Sequence, residues 1–323
     1  MSYPEFSFHT TADEVATAFA DIIRGKNVLI TGTSLNGIGF DTARVIAKYA
    51  NLVIITGYNA ERLKLTEEAI KKESPSANIR RLTLDLSSLA AVRSAAAEVN
   101  SWPEPLHVLI NNAAAQITPF SLTVDKLESQ MATGHIGPFL FTKLIAPKIL
   151  AAGSSTYTPR VVFVSSIGHG FGNPGVDFAN MKKPDALIFK PMQAYFETKA
   201  SNVLAAKELS KRSKGKINAY SLHPGGIFTN IMQKGDGPAE MHRLGMLDEK
   251  FQPRPESNMK TIPQGAATTV VAAFDPRIQN APGSYLNDCV AANELVSAFC
   301  TDPANAEKVW ATTEEIIGEK FEF

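Results

Sequence analysis

Short β-branched apolar runs, separated by stretches of helical periodicity, constrain this chain more than any other feature. The segments NVLIT at 27–31, LVIIT at 52–56, HVLI at 107–110 and VVFV at 161–164 are apolar on both faces. A strand hidden on both sides is one covered by helices above and below, which is how parallel sheets are built. Strands are expected at Asn27–Thr31, Leu52–Thr56, Ile79–Leu84, Leu106–Ile110, Arg160–Ser165 and Ile217–Ser221. Between them helical spacing runs over Gly39–Tyr49, Ala60–Glu73, Leu89–Val99, Thr123–Leu150 and Met192–Arg212. A short seventh strand near Ser284–Leu286 and a helix around Pro303–Gly318 close the pattern. Such alternation argues for an α/β chain: a doubly wound parallel sheet in a three-layer α/β/α arrangement.

At 323 residues, 44% apolar and 20% charged, the chain has material for one large core and reads as a soluble globular protein. The division expected is an N-terminal extension over 1–24 and one domain over 25–323. Basic and acidic residues number 32 each, so no surplus exists to neutralise phosphates, and no basic run exceeds Lys207–Lys216. That balance excludes a nucleic-acid partner. Two cysteines, Cys289 and Cys300, make no disulfide framework and favour a reducing, cytoplasmic setting. The opening MSYPEFSFHTTADE has no apolar core typical of a secretory signal, and no later run has the length of a membrane span. The stretch Gln233–Pro263 breaks the alternation with KGDGP, three methionines and a PRP triplet, and is expected to be a surface excursion without regular elements.

Three clusters carry chemistry. Gly32, Gly37 and Gly39 stand between the first strand and the first helix. Glycines there let the backbone turn tightly and approach a pyrophosphate, or they serve packing alone. Asn36 fills an extra slot in that loop, where a left-handed backbone suits asparagine. Tyr195 and Lys199 are spaced to share one helix face, where an ammonium would favour phenolate and bring the tyrosine into acid/base range. Ser165 and Ser166 end the VVFV strand, where ligand-facing residues or a simple cap would stand.

The motifs TGTSLNGIG, LDLSSL, LINNAA, VFVSS, YFETK and HPGGIFT follow one another in that order. Together they resemble the short-chain dehydrogenase/reductase family from about Gly25 to Asn230, with looser similarity beyond. TTADEVATAFADIIRGK, DLSSLAAVR and LESQMATGHIGPFLFTKL are similar to its retinol-dehydrogenase-like group, particularly the fungal members. The resemblance implies a Rossmann-type single domain that moves hydride between a nicotinamide and a carbonyl or alcohol carbon. It implies Tyr195 as general acid/base, Ser166 rather than Ser165 on the substrate oxygen, and Lys199 on the nicotinamide ribose, lowering the tyrosine pKa. The dinucleotide would meet Gly32, Ser34, Asn36, Gly37, Ile38 and Gly39, then Tyr58 and Arg62, then Asp85 and Leu86. Asn112, Ala113 and Ala114 would follow on the adenosine side, and Pro224, Gly225, Ile227 and Thr229 around the nicotinamide. Homodimers of the family form through the helices that would here carry Gly134 and Tyr195.

The sequence departs from the family pattern twice. Gly134, in TGHIGPF, stands where the family has an asparagine that anchors a water beside the lysine. Its loss implies impaired but not absent turnover, or else Gly134, Gly137 and Pro138 simply kink a long helix. After the second strand, ITGYNAERL has no acidic residue to hold a ribose, and Arg62 is within reach of a 2′-phosphate, so NADP(H) is favoured over NAD(H). The segment 168–191, with Phe171, Phe178, Met181, Leu187, Ile188 and Phe189, is read as an insertion beside the site. With the excursion over 230–263 it forms an apolar lid over a hydrophobic ketone, aldehyde or secondary alcohol, or else packs as ordinary surface loops. His169 and His223 show no metal-ligand spacing, and His135 reads as a packed residue. Two alternatives remain open: a dinucleotide-binding regulator, and a non-redox isomerase or cyclase on the same scaffold.

Overall fold

Seven of the apolar runs and their neighbours do line up in parallel, in a computed structural model that describes residues 3–171, 175–229, 233 and 235–323. The strands are Asn27–Ile30 (β1), Leu52–Gly57 (β2), Ile79–Thr83 (β3), Val108–Asn111 (β4), Arg160–Val164 (β5), Asn218–Leu222 (β6) and Tyr285–Asn287 (β7). An eighth, Val290–Ala291 (β8), turns back antiparallel to β7. Sheet order among the described residues is β3-β2-β1-β4-β5-β6-β7-β8. Register places Val28 beside Val53 and Val108, and Leu29 beside Ile54 and Leu109. Successive side chains therefore enter different cores: Leu29, Leu109, Val161 and Phe163 one, Val28, Ile30, Val162 and Val164 the other.

The first core is closed by Leu89–Ser101 (α5), Gly137–Leu150 (α7), Pro191–Arg212 (α9) and Pro303–Ile317 (α13), through Val92, Phe139, Val203 and Trp310. The short helices Phe178–Lys182 (α8) and Ala298–Thr301 (α12) pack against α13. The second is closed by Ile38–Ala47 (α3), Ala60–Glu73 (α4) and Ile262–Phe274 (α11), through Val45, Leu63 and Val270. Residues of the N-terminal segment join this second layer. A capping box of Thr11 and Glu14 starts Ala12–Ala18 (α1), Ala20–Ile23 (α2) follows, and Phe6, Val15, Phe19 and Ile23 are buried. Because β1 is flanked by β2 and β4, the chain leaves it in opposite directions on its two sides, and a crevice opens at the carboxyl ends of β1 and β4.

Several sequence expectations need correction. Helix does not run from Thr123: it starts at Ser129–Met131 (α6) and passes through a π-helical turn, Ala132–Ile136, into α7. Lys126 is left-handed at φ +61, Thr123 and Leu127 close a turn, and the Glu128 carboxylate caps the helix by accepting from Gln130 and Met131 N–H. The excursion is not devoid of regular structure, since Gly237–Arg243 (α10) forms behind Pro238 and buries Met241. Residues 230–232 and 234 of that excursion, and 172–174 of the insertion, lie outside the described residues. Helix α13 packs along α9, and its Trp310, with Phe321 beyond it, meets Phe139 of α7 edge to face. The helices carrying Gly134 and Tyr195 are thus covered within the chain. Among the described residues no helix is long and apolar enough to cross a membrane.

His135, in the π-helical turn, is buried between the Asn202 carboxamide at 3.4 Å and the Thr313 hydroxyl at 2.9 Å. Burial pushes its pKa from 6.5 down to about 4. The unfolded chain therefore binds a proton that the folded chain refuses between these values. Stability is full above about pH 6.5 and falls as pH drops towards 4, by up to about 3 kcal/mol for one such group. His135→Gln should flatten the pH dependence of the urea midpoint across that window by one proton. An unchanged slope would remove His135 from the account.

Candidate active site

The crevice holds a cavity of about 720 Å³, walled by the loops that follow β1 to β6. Its floor is set by contact between two of these loops. Thr31 Oγ accepts from the backbone N–H of Asn112 and Ala113, both at 3.0 Å, and the Asn112 carboxamide donates to the carbonyls of Thr31 and Gly32. A Cβ on Gly32 would lie 2.8 Å from Ala113 Cα, and one on Gly39 would collide with the Asn112 carboxamide. Packing alone therefore demands two of the three glycines. Asn36 is left-handed at φ +60, and helix α3 starts at Gly37 with no side chain capping it. The first N–H groups of α3 remain free to meet a pyrophosphate, which fits the dinucleotide the loop suggests.

Every residue expected to hold the dinucleotide lines this cavity except Asn36, whose contribution is the turn itself. Sequence reasoning missed Gln116, Thr118, Ser121, Ser129 and Thr133, which line the wall beyond Ala114. The available signal was the aperiodic run between LINNAA and the next helix, here misread in part as helix.

Tyr195 and Lys199 project from one face of α9 at the other end of the cavity. The Lys199 ammonium donates to the Val164 carbonyl at 2.9 Å and sits 5.6 Å from the Tyr195 ring centre. Ser165 is buried and donates to the Lys199 carbonyl at 2.7 Å. Ser166 accepts from Gly168 N–H and is hydrogen bonded to the Tyr195 phenol, although it is not among the cavity-lining residues. The two serines thus divide: Ser165 fixes α9 to the sheet and Ser166 faces the tyrosine. Burial pushes Lys199 down to about 8. Burial raises Tyr195, opposed only by Ser166. The expected lowering by Lys199 is not seen because the ammonium is turned to a carbonyl and desolvation dominates. A phenol in this state holds its proton at neutral pH, the form a proton donor needs.

Gly134 lies in the π-helical turn, and a Cβ there would come 2.5 Å from Thr198 Cγ2. At Gly137 a Cβ would collide with the Leu86 carbonyl. Both glycines let the bent helix approach its neighbours, and the methyl of Thr198 occupies the space a side chain at 134 requires.

The two segments read as a lid separate. Met241, Met246 and Met259 from the excursion pack with Met192, Phe228 and Tyr195 in one apolar cluster. No described residue of either segment lines the large cavity, so the excursion reaches the site through its packing on Tyr195 and Phe228. Met181 joins the main core, Phe178 packs against it, and Leu187 is 93% exposed. Of the histidines, His169 Nδ1 lies 2.7 Å from the Ser166 carbonyl, while its Nε2 accepts from Ser297 N–H. His223 is held neutral, pushed to about 4 by burial and then by Lys260. Among the described residues no group of three or more His, Cys, Asp or Glu could hold a metal ion.

A glycine-turned helix N-terminus at the switch point of a doubly wound sheet, facing a tyrosine and a lysine, defines a dinucleotide-dependent oxidoreductase. The chain belongs to the short-chain dehydrogenase/reductase family: its residues 26–177 match the short chain dehydrogenase model. It is 35% identical over 307 residues to the short-chain dehydrogenase TIC 32 B, chloroplastic, of Brassica napus, covering 93% of this chain and 91% of that one. Retinol dehydrogenase 12 of Mus musculus is 30% identical over 301 residues, covering 93% and 89% respectively. The fold is similar to that of the Pseudomonas aeruginosa RhlG/NADP active-site complex, with a TM-score of 0.62 at 20% identity, covering 81% of this chain and 94% of that one.

Gly134→Asn should destabilise the protein by about 1–3 kcal/mol, the cost of overpacking a filled interior. Adding Thr198→Ser should restore most of that loss in urea titrations. Equal stability of Gly134→Asn and the parent would show that the π-helical turn has room to spare.

Proposed function

We propose that this protein is an NADP(H)-preferring reductase or dehydrogenase of hydrophobic ketones, aldehydes or secondary alcohols, with Tyr195 as proton donor. The observation that carries this reading is Tyr195 itself: a protonated phenol beside Ser166 at the cavity, backed by apolar side chains. The bound dinucleotide supplies the hydride. The protein's part is to place the substrate oxygen between the Ser166 hydroxyl and the Tyr195 phenol, so that charge developing there meets two donors. As the phenol gives up its proton, the Lys199 ammonium, already desolvated and 5.6 Å from the ring centre, steadies the phenolate. The methionines that pack with Tyr195 back the phenol and exclude water from that side of it without lining the cavity themselves.

Preference for NADP(H) is supported by the end of β2. Tyr58 and Arg62 line the cavity there, the Arg62 guanidinium donates to the Tyr58 hydroxyl at 3.4 Å, and neither brings a carboxylate to repel a 2′-phosphate. The RhlG neighbour is a complex with NADP. Cys289 and Cys300 are unpaired, in keeping with a cytoplasmic setting. The covering of α9 by α13 leaves less of that helix free for the pairing of two copies that the family resemblance implies.

NADPH consumption against a panel of hydrophobic ketones and aldehydes tests the reading. Tyr195→Phe should lower turnover about 10²–10⁴-fold without weakening NADPH binding. Tight binding with no consumption on any panel member would favour a regulator or a non-redox enzyme. Arg62→Ala should raise the Kd for NADPH about tenfold and leave that for NADH nearly unchanged. Equal effects on both would end the claim of preference.

A further inference from the structure

We infer that Lys260 is a positioning residue that holds the nicotinamide end of the cofactor site, acting through the loop Pro224–Ile227. The inference rests on the dinucleotide reading above. After the excursion the chain returns through Asn258, left-handed at φ +44, and lies alongside that loop. Lys260 N–H donates to the Gly226 carbonyl at 2.8 Å, and Lys260 pairs with Ile227 in a parallel bridge. Met259 packs into the apolar cluster behind Tyr195. Lys260 meets different groups, its methylenes passing directly beneath Gly225. Gly225 has φ +105, and a Cβ there would lie 2.6 Å from Lys260 Cδ and 3.1 Å from Cγ and Cε. The lysine stem is therefore the floor on which this glycine rests.

Two remote parts of the chain meet the other end of Lys260. Its ammonium pairs with Asp288 Oδ1 at 2.6 Å, with the lysine side chain 1% exposed and the aspartate 33%. The Phe8 ring of the N-terminal segment lies 4.8 Å from it. Asp288 is held in the β7–β8 turn, where Asp288 and Cys289 are both left-handed and Cys289 N–H donates to Thr268 Oγ. A buried ammonium is costly where a leucine would fill the same space, so it contributes direction rather than bulk. The direction it sets is that of Gly225. Pro224, Gly225, Ile227 and Thr229 line the cavity together with Tyr195 and Lys199, whereas Tyr58, Arg62 and Asp85 line it through the loops after β2 and β3. Lys260 touches Gly225 and Ile227 of the former set.

The experiment compares two ligands on the full chain: NADPH, and adenosine 2′,5′-bisphosphate, which has the adenine half alone. Lys260→Ala should raise the Kd of NADPH about tenfold and leave that of the bisphosphate within about twofold. Asp288→Asn, at a partly exposed position, should move NADPH in the same direction by less, and it carries the comparison if Lys260→Ala does not fold. Parallel weakening of both ligands would mean that Lys260 merely supports the fold, and no change in either would mean that Gly225 does not need it. Both results overturn the assignment while leaving the dinucleotide site intact. A parent protein that binds neither compound would instead overturn the dinucleotide reading, and this assignment with it.

Discussion

The loops leaving β1 and β4 touch so closely that neither Gly32 nor Gly39 has room for a methyl group, and Asn112 knits them with three hydrogen bonds. The cleft depends on this contact. Because β1 is the strand at which winding reverses, its two neighbouring connections diverge, and the bonds of Thr31 to Asn112 and Ala113 join the loops leaving β1 and β4. The same contact sets the start of α3 and so aims its uncapped N–H groups into the cavity. The opposite end of α3 is tied down by charge. Arg44 meets Asp41, Asp13 of α1 and Glu73 of α4, and its hydrogen bonding is the main force holding Asp13 at about 2. The N-terminal helix is thereby tied to the helix whose N-terminus faces the cavity.

At the other end of the cavity desolvation is the governing force. Helix α9 is buried almost all round from Glu197 to Leu209, under α13 on one side and the sheet on the other. Desolvation lowers Lys199 to about 8 and, one turn earlier, raises the Tyr195 phenol, which keeps its proton. Burial also explains the small residues nearby: Gly134 and Thr198 share one space, and Gly137 rests on the Leu86 carbonyl. The π-helical turn between α6 and α7 is placed where the helix passes Thr198.

Much of the site was legible because its residues sit at the ends of strands that announce themselves. Gly32, Asp85, Asn112, Ser166 and Pro224 each follow a both-faces-apolar or alternating run, so their common location followed once the strands were placed. The wall from Gln116 to Thr133 was missed since its path is set by a left-handed Lys126 and a capping Glu128, neither of which has a periodic signature. The insertion offered an apolar composition suited to a lid, yet Met181 and Phe178 turn inward to the core and Leu187 points to water. Composition cannot tell which surface an apolar side chain will cover.

What the sequence by itself determined is the layered architecture, the strand ends that carry the site, and the shared helix face of Tyr195 and Lys199. These follow from local rules: side-chain alternation in strands and the four-residue repeat of a helix. What only the tertiary structure decided is how those groups behave. The protonation of Tyr195 and Lys199, the division of labour between Ser165 and Ser166, and the passage of Lys260 beneath Gly225 depend on burial and on partners up to hundreds of residues away. Solvation and long-range contact are properties of the packed molecule, and no sequence window contains them.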